Sequence, residues 1–142
     1  MKEYHTSIEI NAPIKEVWST LTDFDSYPEW NPLVSKLEGN IAVGGKIHTT
    51  IAPLNDTFSP TLLSYKESEE IVWEGHRVAK FVLAGKHYYR LKEHTPTTTL
   101  LEHGEFFTGL FSAFIPSKLL IKMKEAFVDH NVALKNRVEH GN

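Results

Sequence analysis

The chain has 142 residues, enough for one domain with a buried core, and its 41% hydrophobic and 23% charged residues are the balance of an ordinary globular protein. Lys and Arg number 15 against 18 Asp and Glu, and the absence of any basic block argues against nucleic acid as a partner. There is no cysteine, which removes disulfides, thiolate catalysis and cysteine-ligated zinc.

Met1 to His5 lack the apolar stretch of a signal peptide, and no window approaches the roughly 20 apolar residues of a membrane span, so a cytoplasmic location is expected. Glu3–Ile10 alternates and is rich in β-formers, which predicts a first strand. Asn11-Ala12-Pro13 stops it, and Pro13 suits the first position of a helix in which Ile14, Val17, Trp18 and Leu21 share one face. That helix ends near Thr22; Asp23 is placed to cap a second short turn, Phe24 to Trp30, which Asn31-Pro32 terminates.

From there to Phe107 the punctuation is that of an antiparallel meander. Turn signals at Gly39-Asn40, Gly44-Gly45, Asn55-Asp56, Glu67 to Glu70 and His94 to Pro96 separate strands that include Lys46–Ile51, Thr61–Tyr65, Ile71–His76, Phe81–Leu91 and Thr98–Phe107. The last element is a helix from about Ser117 to Val138, after Pro116. Its residues Leu120, Met123, Phe127, Asn131, Leu134 and Val138 fall in one stripe, with Lys122, Glu125, Asp129 and Asn136 opposite. The expected architecture is α+β: a curved antiparallel sheet of six or seven strands around a long C-terminal helix, with two short helices after the first strand. One helix cannot fill the concave face of such a sheet, so an internal cavity is expected.

Four stretches carry a family resemblance. IEINAPIKEVWSTLTDFDSYPEWNPLV (Ile8–Val34) resembles the N-terminal signature of the START-like (SRPBCC, helix-grip) superfamily, in its polyketide cyclase/dehydratase-like branch. IVWEGHRVAKFVLAGKHYYRL (Ile71–Leu91) is similar to its Trp-x-Gly strand followed by a Gly-x-His strand. TTTLLEHGEFFTGLF (Thr97–Phe111) is similar to the strand ending in Glu-Phe-x-Gly, and FVDHNVALKNRVE (Phe127–Glu139) to the closing helix. The resemblance implies a single ligand-binding domain over residues 1–142 with a hydrophobic tunnel for lipids, polyketides or other apolar molecules; fold alone does not choose among them.

Strand parity proposes the site. Across Phe81–Leu91 the odd positions Phe81, Leu83, Gly85, His87, Tyr89 and Leu91 oppose Lys86, Arg90 and Lys92, so the odd face is the inner one. On the next strand Leu101, His103, Glu105 and Phe107 are taken to face the same way. A three-residue turn at Thr95–Thr97 sets Leu91 against Leu101, Tyr89 against His103 and His87 against Glu105, making His87 and Glu105 each other's expected partners. The candidate ligand-binding residues are therefore Trp30, Trp73, His87, Tyr89, His103, Glu105, Phe107, Phe127 and Asn131. Trp30 is expected to close one end of the cavity, and Trp18 to belong to the core. Asn131 either faces the cavity or bonds a neighbouring strand.

His87, His103 and Glu105 are also the candidate acid–base groups, or else they satisfy one another because burial demands partners. No nucleophile or oxyanion motif accompanies them. Of the eight histidines, His5, His48, His76, His94, His130 and His140 look scattered over surfaces and ends, with no compact ligand spacing, so neither metal nor cofactor is expected. The apolar run Phe106–Pro116, between Gly109 and Pro116, reads as a gate over the cavity mouth, a buried loop or a dimer contact. Three functions compete: a non-catalytic module, monomer or homodimer, for a small hydrophobic molecule with one polar group; a polyketide cyclase or dehydratase; and a co-chaperone-like interaction domain.

Overall fold

The computed structural model describes residues 2–77 and 83–141. Chain order gives β1 (Lys2–Ile10), α1 (Ile14–Leu21), α2 (Tyr27–Trp30), β2 (Val34–Gly39), β3 (Ile47–Ile51), β4 (Asp56–Phe58), β5 (Thr61–Lys66), β6 (Glu70–Arg77), β7 (Leu83–Thr95), β8 (Thr98–Thr108) and α3 (Ser117–His140). This is the expected helix-grip order. The expected start of the β7 strand at Phe81 lies outside the described residues.

Instead of six or seven strands in one sheet, eight are described, divided between two antiparallel sheets. The larger has the order β1-β8-β7-β6-β5 and the smaller β2-β3-β4. The two meet where Lys46 bridges Thr61, flanked by Ile47 N–H to Pro60 O at 3.0 Å and Leu62 N–H to Gly45 O at 2.9 Å. The added strands are β2 and β4. The register of β2 against β3 shifts between Val34 and Lys36, so its buried residues, Val34 and Leu37, break the two-residue period. β4 has only three residues.

The N-terminal punctuation works differently in detail. Pro13 stands at the N-cap of α1, just before its first turn. Asp23 precedes the 3-10 turn Phe24–Ser26, but its carboxylate accepts the Ser26 hydroxyl at 2.8 Å and no backbone N–H. Asn31 ends α2 and then turns the chain, its Oδ1 accepting Leu33 N–H at 3.0 Å and Val34 N–H at 2.8 Å.

Helix α3 buries the face its pattern marks: Met123, Phe127, Asn131 and Leu134 are buried, Leu120 and Val138 partly so, and Lys122, Glu125, Asp129 and Asn136 are exposed. A polar clip docks this helix on the sheet. Thr6 and His103 are direct partners across β1 and β8. The single Thr6 hydroxyl proton goes to His103 O at 2.6 Å, because a carbonyl only accepts. Thr6 Oγ1 must then accept from Asn131 Nδ2–H at 2.8 Å, which orients the Asn131 amide. Asn131 Oδ1, the remaining end, accepts Nδ1–H from His103 at 2.9 Å and from His130 at 3.1 Å. His130 Nε2 accepts the Tyr89 hydroxyl at 3.0 Å.

Of the two readings of Asn131 the structure selects the bond to a neighbouring strand. His130, expected among the histidines of surfaces and ends, is fully buried. It lies on the flank of the stripe, and the rings of Trp30 and Tyr89, with centroids 5.5 and 5.4 Å away, cover it completely.

Burial pushes the pKa of His87 and His103 well below the ordinary imidazole value, and that of His130 down to about 4. Below the unfolded value near 6.5 the unfolded chain takes up protons that these rings refuse, so stability falls as pH falls. Glu105, raised by burial to about 7, acts oppositely: its contribution is present below 4.5 and lost as pH rises through 7. Three rings outweigh one carboxyl, and near pH 5.5 stability should drop by about 2.5 kcal/mol per pH unit, from about two net protons bound on unfolding. Urea unfolding between pH 5 and 7.5 measures this; a flat profile contradicts buried neutral rings. At pH 7.5 Asn131→Leu, which strands two ring N–H groups, should cost about 3 kcal/mol, whereas the exposed Asn136→Leu should stay within about 0.5.

Candidate functional site

Between α3 and the two sheets lies a cavity of about 400 Å³, with walls that are mostly apolar. Trp73, Gly75, Gly85 and His87 of β6 and β7 form one wall, and Tyr4, Glu105 and Phe107 of β1 and β8 continue it. Thr49 and Ile51 of β3 stand on the smaller sheet, and α3 supplies Leu120, Met123 and Phe127.

The predicted register is the observed one: Leu91 pairs with Leu101, Tyr89 with His103 and His87 with Glu105. The connection is tighter than expected, since Thr95 itself pairs with Thr98 after an irregularity between Glu93 and Thr95. Five of the nine candidates, Trp73, His87, Glu105, Phe107 and Phe127, reach the cavity. The other four are displaced from it. Tyr89, His103 and Asn131 are buried in the clip behind the wall, and Trp30 packs on Tyr27 and His130 rather than closing an end. The period-2 and helical patterns identify inward faces, but not which part of an inward face meets a void and which meets another side chain.

His87 and Glu105 do not hydrogen-bond each other. His87 lies flat on Trp73, with ring centroids 3.9 Å apart and planes within 12°, and its Nε2 is 2.8 Å from Nε2 of His103. Because His103 carries its proton on Nδ1, its Nε2 is the acceptor and His87 Nε2–H the donor. The proton of His87 is thereby committed to the clip, leaving Nδ1 a bare lone pair, buried and without a partner. Asn131 thus dictates, through two rings, that His87 presents an acceptor.

Glu105 turns the other way. Tyr4, its partner across β1, donates its hydroxyl to Oε1 at 2.6 Å. Tyr4 was missed by sequence reasoning, although its place on the inward face of β1, opposite Glu105, was legible once the β1–β8 pairing was known. The carboxyl needs Gly85: a Cβ there would stand 2.8 Å from Oε2 and 3.1 Å from the Phe107 ring. Oε2 has no hydrogen bond among the described residues. Desolvation raises the pKa of Glu105 to about 7 against the opposing hydrogen bond from Tyr4. The Tyr4 hydroxyl, desolvated and beside that carboxyl, is pushed far above the usual phenol value and remains a donor.

Among the described residues no group of His, Asp or Glu side chains is placed to hold a metal ion, and no helix is long and apolar enough to cross a membrane. The Phe106–Pro116 run divides by residue. Phe107 and Ile115 face the cavity, whereas Leu110, Phe111 and Phe114 are exposed.

Residues 1–139 match the family described as polyketide cyclase / dehydrase and lipid transport. No curated protein matches. Among solved structures, protein MLL2253 from Mesorhizobium loti superposes with a TM-score of 0.77 at 17% identity, covering 99% of each chain. A START superfamily protein from Mycobacterium smegmatis gives 0.71 at 17%, again over 99% of each chain. The Zhui aromatase/cyclase from Streptomyces sp. R1128 gives 0.73 at 16%, over 99% of this chain and 98% of that one. The match over residues 1–139 leads to one conclusion: the chain belongs to the polyketide cyclase / dehydrase and lipid transport family.

Proposed function

We propose that this chain is a single binding domain for a small apolar molecule carrying a hydroxyl or similar hydrogen-bond donor. The observation that carries the reading is the Glu105 carboxyl in the wall of an apolar chamber, where Tyr4 engages Oε1 and Oε2 has no hydrogen bond among the described residues. Above neutral pH Glu105 is ionised and calls for a donor on the ligand; an apolar molecule without one would leave a carboxylate desolvated.

The second reading, a cyclase- or dehydratase-type enzyme, draws support from Glu105 alone. Its pKa of about 7 suits proton transfer, and one oxygen is free. His103, with both ring nitrogens engaged behind the wall, has no place in that chemistry. The aromatase/cyclase likeness is one of fold. A binding module is the fuller account because, among the described residues lining the chamber, no backbone N–H pair, arginine or amide is placed as an oxyanion site.

Two fluorescent probes of one size separate the ligand classes. Naphthol, a donor, should bind about tenfold more weakly at pH 6 than at pH 8, as Glu105 takes a proton; naphthalene should show no such loss. Glu105→Gln should remove the pH dependence for naphthol. The same weak, pH-independent binding for both probes would refute the acceptor site. Filling the chamber tests the cavity itself: Gly75→Leu, whose Cβ meets only Pro60 at 3.7 Å, should fold normally and weaken either probe by about tenfold or more. Native mass spectrometry of freshly purified protein would identify a retained ligand, and turnover of that molecule, lost in Glu105→Gln without lost affinity, would favour the enzyme.

A further inference from the structure

The rim of the cavity carries a surface that the binding reading does not use. After β8, Gly109 adopts a left-handed φ of +103°, and the chain makes a 3-10 turn at Ser112–Phe114 before Pro116 opens α3. The turn is held internally: Ser112 donates its hydroxyl to Gly109 O at 2.9 Å, and Phe114 N–H reaches Phe111 O at 3.1 Å. This ordered turn faces its large side chains outward. Leu110 is 73% exposed, Phe111 54% and Phe114 75%, and the apolar surface continues on α3 with Ile121 at 59%. A cluster of that kind marks an interaction site.

Charge says what it meets. Between Glu105, which faces the cavity, and Glu125 the sequence has no acidic residue but has Lys118, Lys122 and Lys124, in a chain of net charge −3. All three lysines are exposed. Lys122 reaches Pro53 O at 3.4 Å, bringing the turn of the half-exposed Leu54 alongside, and Lys2 reaches Ile115 O at 2.9 Å from the other side. Protein interfaces are depleted in lysine, and a two-fold contact with a second copy would bring these cations against one another. An anionic lipid surface accommodates both features: aromatic and aliphatic tips enter the acyl boundary while lysine stems lie along it with ammonium groups among the headgroups.

We propose that Leu110–Lys124 docks the mouth of the cavity onto an anionic membrane surface. Leu119 and Leu120 of the same segment line the cavity, so docking sets the chamber's entrance against the lipid. The inference stands apart from the ligand assignment, since it uses none of the acceptors inside.

Vesicle flotation tests it, with phosphatidylcholine alone and with about 30 mol% phosphatidylglycerol added. The intact chain should bind the mixed vesicles, release at high salt and leave the pure phosphatidylcholine vesicles largely free. The double variant Phe111→Ser, Phe114→Ser should lower partitioning by about tenfold or more, because most of the inserted apolar area is gone. The variant Lys118→Glu, Lys122→Glu should lose the preference for the anionic vesicles. All four positions are exposed, so unchanged thermal unfolding and unchanged naphthalene binding would show that fold and cavity survive. Failure of the intact chain to bind the mixed vesicles, or equal binding to both kinds, overturns the proposal. So does a dimer in sedimentation that the phenylalanine variant dissociates, which would assign the patch to a second copy.

Discussion

The Asn131 carboxamide is the point on which the rest of the structure turns. It lies in the middle of the buried face of α3, where packing alone favours an aliphatic side chain, and joins the helix to β1 and β8 through Thr6 and His103. A helix held to a sheet only by apolar contacts can slide or rotate at little cost, because hydrophobic burial is non-directional. An amide whose two ends require opposite partners admits one seating. The clip is satisfied from Thr6 through to Tyr89, and an unpaired nitrogen, Nδ1, is left on His87, whose ring also lines the cavity.

That seating has consequences for the chamber. With α3 pinned, Phe127 and Met123 form its roof, and the sheet forms a wall in which two facing glycines, Gly75 and Gly85, leave space. The space at Gly85 is shared between void and carboxyl, since Glu105 lies over it within reach of Tyr4. The polarity at that end follows from hydrogen-bond bookkeeping rather than from residue type. A neutral histidine can donate or accept at either nitrogen, and here the orientation of one distant amide decides that Nδ1 of His87 accepts.

Electrostatics in the interior take both signs of the same effect. Burial keeps three imidazoles uncharged by lowering their pKa and moves one carboxyl toward neutrality by raising its own. The rings support folding and remain neutral across the physiological range. Glu105 titrates near pH 7, so protonation there changes the character of the chamber without disturbing the clip that shapes it.

The order of strands and helices, the inward parity of β7, the β7–β8 register and the buried stripe of α3 were all legible in the sequence, because each depends on local period and turn residues. The whole-chain resemblance of Ile8–Val34 and the later segments carried the family in the same way. Other features were decided only by tertiary contacts. The division into two sheets depends on a bulge in β2 and a bridge at Lys46. The separation of His87 from Glu105 depends on Tyr4 arriving from β1, 101 residues earlier in the chain, and on room left by Gly85. His130 is buried because Trp30 and Tyr89 cover it, and no periodicity in α3 reports what stands opposite. A sequence pattern states which way a side chain points; only the assembled elements determine whether it meets a void, a ring or a proton.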